Sequence, residues 1–150
     1  MESTVMPDPD AVAAVRAAVD AMLPPTDGRP GAADLGVERH VVEQAEGAMQ
    51  GSTELMAALL NAFADGVRSG VPFAELSREE RVTVLRTMYA DEAQDIRDVV
   101  DTIQIFALGG MYSEWSTFDP KTRSLQRPDS WDDVGYHGPV DRIPDYRVDV

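Results

Sequence analysis

Cysteine is absent from this 150-residue chain. Its absence excludes disulfides, thiolate metal sites, iron–sulfur clusters, covalently attached c-type haem and a cysteine nucleophile. Histidine is nearly absent: there are two, His40 and His137, too few for a typical histidine-rich metal site. No apolar run approaches the roughly 20 residues that a spanning helix needs, and "IQIFALGGM" is among the longest, so no membrane crossing is expected. Basic side chains are outnumbered, 13 against 27 acidic, and the formal net charge of -14 repels polyphosphate backbones and anionic lipid. The glycines of "DGRPG" follow no strand and fit neither G-x-G-x-x-G nor G-x-x-x-x-G-K-[ST], so they read as a turn and not as a phosphate cradle. The opening "MESTVMPDPD" is acidic, with no apolar run and no twin arginine, so the expected location is the cytoplasm. Neither a repeat period nor a low-complexity block stands out.

What is present suits one domain, residues 1–150: 43% of residues are apolar, enough for a single core. "PDPDAVAAVRAAVDAML" reads as a helix capped by Asp8, with Pro9 in the first position and Val12, Val15, Val19 and Met22 on one face. After Pro24 and Pro25, "AADLGVERHVVEQAEGAM" resumes helical spacing through Val37, Val41, Ala45 and Ala48. In "STELMAALLNAFADGV", Ser52 or Thr53 is the expected cap, and Met56, Leu59, Leu60, Phe63 and Val67 form the apolar face. "SREERVTVLRTMY" opens with a capping box, Ser77 and Glu80. "EAQDIRDVVDTIQIFAL" sets Ile96, Val99, Val100, Ile103 and Phe106 against Asp95, Asp98, Asp101 and Thr102, with an expected stop at Gly109 and Gly110. The expected fold is all-α: a bundle of about five amphipathic helices over 1–110, followed by an extended arm over 111–150.

The arm is unusual. It holds six of the ten aromatic residues (Tyr112, Trp115, Phe118, Trp131, Tyr136, Tyr146), yet Pro120, Pro128, Pro139 and Pro144 break it into short pieces. It is also the less acidic part, at -3 against -11 for residues 1–110. Disordered segments are usually poor in aromatics, so a surface must hold this one. Either the rings fold back over the bundle or they dock into a partner, where Trp, Tyr and Arg are favoured anchors. Arg123, Arg127, Arg142 and Arg147 supply directional donors for either arrangement.

Candidates for catalysis are sparse. His40 with Glu43 makes an isolated H-x-x-E, a weak metal signature without a second motif. His137 in "GYHGP" sits in a turn where an imidazole can act as acid or base, but no nucleophile or orienting group flanks it. The carboxylate pairs Glu79–Glu80, Asp91–Glu92 and Asp132–Asp133 read as solvated faces or helix-start charges. No catalytic, cofactor-binding or metal-ligating residue is assigned.

Three stretches together carry a resemblance. "AMLPPTDGRPGAADLGVERHV" resembles the N-terminal signature of the gluconate 2-dehydrogenase subunit 3 family, "FAELSREERVTVLR" its midsection, and "MYSEW" with "GYHGP" its tail. The resemblance implies a small, non-catalytic subunit of a larger flavoprotein of the glucose-methanol-choline type. FAD and the catalytic base are then expected on that partner, and in related complexes a separate haem subunit takes the electrons onward. This chain lacks the twin-arginine signal of many members and has His137 where the tail pattern commonly has Pro. The expected partner interface is Tyr112, Trp115, Phe118, Trp131, Tyr136, His137, Tyr146 and Arg147. Two alternatives stay open: a transient assembly or FAD-loading chaperone for such a flavoprotein, and a free-standing small enzyme using His137.

Overall fold

A computed structural model describes residues 6–113, 117, 119 and 121–138. Among them the chain is all-α, as expected, with six helices and no strand: α1 (Pro9–Met22), α2 (Glu38–Ala48), α3 (Ser52–Asp65), α4 (Arg78–Tyr89), α5 (Gln94–Tyr112) and the short α6 (Ser130–Asp133). Helix α1 is the axis of the bundle and packs on α2, α3, α4 and α5. Its core positions extend beyond the expected valines, since Ala11, Ala14, Ala17, Ala18 and Ala21 are buried beside Val15 and Val19. Small side chains on several faces let four helices approach one, and a helix apolar nearly all round belongs in the interior.

Local signals set several helix starts. Asp8 caps α1 by accepting from Asp10 N–H, with Pro9 in the first position. At α4 both halves of the capping box form: Glu80 N–H donates to Ser77 Oγ at 3.2 Å, and Ser77 N–H donates to Glu80 Oε2 at 2.8 Å. Asp20 of α1 receives Arg78 at 3.0 Å and Arg81 at 3.4 Å, tying α1 to α4. The link between α3 and α4 contains a 3-10 turn, Phe73–Glu75, whose Phe73 ring is fully buried. Phe73 N–H donates to Asn61 Oδ1 of α3 at 2.9 Å, which fixes the link as part of the core.

Three expectations are corrected. Helix α2 begins at Glu38, because residues 31–37 form turns in which Asp34 accepts from Gly31 N–H at 2.9 Å and Gly36 has φ +70°. Neither Ser52 nor Thr53 caps α3. Instead the Glu46 carboxylate of α2 accepts from Gly51 N–H and Thr53 N–H, each at 2.8 Å. Helix α5 does not stop at Gly109 and Gly110 but runs on to Tyr112. A Cβ at Gly110 would lie 2.9 Å from Val37 Cγ1 and 3.0 Å from His40 Cδ2, so this glycine permits the close crossing of α2 over α5.

Candidate functional site

Extending α5 to Tyr112 leaves its last carbonyls without partners in the helix, and the arm supplies them. Ser130 Oγ donates to the Met111 carbonyl at 2.7 Å, and Trp131 Nε1 donates to the Tyr112 carbonyl at 2.5 Å. The Trp131 side chain is thereby seated on the end of α5, with only 7% of the residue exposed, and Pro128 is fully buried beside it. Tyr136 meets the Trp131 ring edge-on, at a centroid distance of 4.7 Å and an interplanar angle of 71°. Such a contact is worth about 0.5–1.5 kcal/mol beyond the buried area. Gly138 passes over the same ring, close enough that a Cβ there would sit 3.4 Å from it.

Charged groups close the seat from outside. Arg127 donates to Asp132 Oδ1 at 2.6 Å and to the Tyr136 carbonyl at 3.0 Å. The Arg127 hydrogen bond holds the Asp132 carboxyl below its usual range, and Asp132 raises Arg127 in turn. Arg29, in the turn after α1, pairs with Asp133. A cavity of about 460 Å³ lies between that turn, Met111 of α5 and the 126–133 stretch of the arm. Its charged side chains include Arg29, Arg127, Asp132 and Asp133, all engaged in these pairs.

The structure thus gathers Tyr112, Trp131 and Tyr136 at one end of the bundle, with His137 beside them. Trp131 is spent on the bundle, whereas Tyr136 is 45% exposed and His137 faces solvent. Trp115, Phe118, Tyr146 and Arg147 lie outside the described residues, as do Pro120, Pro139, Arg142 and Pro144.

His40 is half-buried against Gly109 and Gly110 of α5. Burial lowers its pKa from the ordinary value, with Glu43 partly opposing. Among the described residues, no three His, Asp or Glu side chains converge as metal donors, and no helix is long and apolar enough to cross a membrane. Sequence reasoning missed Ser130 and Arg29 among the groups that seat the arm, whereas Arg127 is one of the arginines expected to supply donors there. The only local signal was the "PDSW" string, which carries a turn residue ahead of a short helix.

The model of one protein family, gluconate 2-dehydrogenase subunit 3, matches residues 9–125. The chain belongs to that family. The match to subunit 3 spans all five long helices and ends before the Ser130–Trp131 seat. Neither a curated protein nor a solved structure matches the chain.

Proposed function

We propose that this subunit 3 family member is a non-catalytic small subunit that binds and stabilises a larger FAD-dependent oxidoreductase of the glucose-methanol-choline type. Such a partner oxidises alcohol groups of sugars, sugar acids or polyols, and it carries the flavin and the catalytic base. The observation that carries this reading is family membership over residues 9–125, which takes in nearly the whole bundle. The arm supports it. Trp131 and Ser130 hold the arm on α5 and leave Val134, Tyr136 and His137 directed to solvent, next to the segments that contain the other expected interface residues. A few docked rings, at roughly 1.5–3 kcal/mol each when fully buried, suffice to hold such a contact.

The test is gentle purification of the tagged full-length chain from its own cell, followed by mass spectrometry and a visible spectrum. A yellow one-to-one complex with a large flavoprotein is the expected result. A flavoprotein that is active and stable without this chain, after contacting it only during assembly, would replace the subunit reading with the chaperone reading. Recovery of a solitary, colourless chain would overturn the stable-subunit reading and make the transient chaperone the reading to test.

A further inference from the structure

Helix α5 has a second face that the bundle does not use. Its buried side is Val99, Val100, Ile103, Ala107 and Gly110. At 100° per residue, Asp98, Asp101, Ile105, Leu108 and Tyr112 fall on one stripe opposite that side. Ile105 is 64% exposed and Leu108 is 37% exposed. The stripe is divided along its length: carboxylates occupy its first half and apolar side chains its second, with Asp95 flanking the acidic end. Ile105 stands about 10 Å along the helix from Asp98 and the same distance from Tyr112.

Many carboxylates of this protein are matched internally. Asp20, Glu38, Glu80, Asp132 and Asp133 each pair with an arginine. Asp95, Asp98 and Asp101 enter no ion pair among the described residues, and Asp98 accepts only from the neutral Gln94 amide, at 2.5 Å. The apolar half ends at Tyr112, the residue whose carbonyl receives Trp131, so the stripe runs directly into the seat of the arm. Val134, 62% exposed, and Tyr136 extend the exposed apolar surface there.

We propose that this stripe of α5, continuous with the arm, is the docking surface for a cationic amphipathic segment of the flavoprotein partner. The inference rests on the subunit reading and specifies where that subunit binds. Basic side chains of the partner sit over Asp95, Asp98 and Asp101, and an aliphatic or aromatic anchor covers Ile105 and Leu108. Charge selects this occupant. A second copy of a chain with net charge -14 would bring acid against acid, and an anionic lipid surface would be repelled in the same way. A basic partner gains the Coulomb attraction on approach and the apolar burial on contact.

The experiment measures binding of full-length variants to the flavoprotein recovered with the tagged wild-type chain. Ile105→Ser with Leu108→Ser alters only exposed positions and should weaken binding at least tenfold through a faster off-rate. Asp95→Lys with Asp98→Lys should slow association several-fold at low salt and flatten its dependence on ionic strength. Leu55→Ser, on the exposed side of α3 (48% exposed), is the control and should bind as wild type. Wild-type affinity in both α5 variants, with wild-type thermal stability, overturns the docking surface while leaving the subunit reading intact. The same holds if deleting residues 139–150 exposes a stripe that the chain's own tail had covered and leaves flavoprotein affinity unchanged. Failure of the wild-type chain to retain any flavoprotein overturns both.

Discussion

Gly109 and Gly110 are neighbours in the last turns of α5, and alanine at the two positions should have opposite effects. In a helix interior, Gly→Ala gains about 0.5–1 kcal/mol because alanine loses less backbone freedom on folding. A Cβ at Gly109 meets only His40 Nε2, at 3.8 Å, an ordinary contact. Gly109→Ala should therefore stabilise the protein by nearly the whole of that gain, raising Tm by about 1–4 °C for a chain of this size. A Cβ at Gly110 meets Val37 Cγ1 at 2.9 Å, His40 Cδ2 at 3.0 Å and His40 Cβ at 3.1 Å. Val37 is fully buried and β-branched, and a Cβ atom is fixed to its own backbone, so neither neighbour can swing aside. The helices must separate, at an overpacking cost of about 1–3 kcal/mol that exceeds the propensity gain. The expected outcome is a net loss of about 1 kcal/mol for Gly110→Ala, measured by urea unfolding with far-UV circular dichroism. A Gly110→Ala protein as stable as Gly109→Ala would refute the close crossing of α2 over α5.

Trp131→Phe keeps a ring but removes the donor to the Tyr112 carbonyl; hydrogen exchange over 126–138 should accelerate, reflecting a loss of about 1–2 kcal/mol in the seat, while the bundle melts nearly as before. Glu46 has its pKa lowered below 4.5 by hydrogen bonding from Thr53, ahead of that from Gly51 and Ser52, which outweighs its partial burial. Its contribution is therefore present above the unfolded value and lost as pH falls through the depressed folded value, so Glu46→Gln should flatten that acidic stretch of the stability profile. His40 is also depressed, from 6.5, so the native state resists protonation and stability falls as pH drops below about 6.5; His40→Gln should remove that slope in a pH series of urea midpoints. With a net charge of -14, screening of self-repulsion should outweigh screening of surface pairs such as Arg78–Asp20, and Tm should rise between low and molar KCl; a fall would mean that the ion pairs dominate.

Features that depend only on neighbours in sequence were legible. Asp8 with Pro9 and the Ser77–Glu80 box are local geometries, and the hydrophobic period found all five long helices. What was not legible depends on contacts distant in the chain. Whether two glycines end a helix or admit a neighbour cannot be read from the glycines, because the deciding atoms belong to Val37 and His40. The cap of α3 comes from the preceding helix, where Glu46 outcompetes the nearer Ser52 and Thr53. Phe73 lies outside every helical period, after Pro72, and its burial depends on Asn61 of α3, which anchors that link into the core. The alanines of α1 were under-read because small side chains carry little hydrophobic signal while enabling the closest packing.

The correction at the end of α5 and the question of what holds the arm have one physical answer. Had the helix stopped at Gly110, the Met111 and Tyr112 carbonyls would belong to a loop and could turn to solvent. Because it continues, those carbonyls point along the helix axis, and Ser130 and the indole of Trp131 reach them from nineteen residues further on. Gly110 is the condition for this arrangement, since a side chain there would push α5 away from α2. The residue that sequence reasoning took as a terminator thus allows the helix to present both its end to the arm and its outer stripe to solvent. Gly110→Ala should consequently loosen the Trp131 seat as well as the bundle, and faster exchange at both 126–138 and α2 in that one variant would show the two to be coupled.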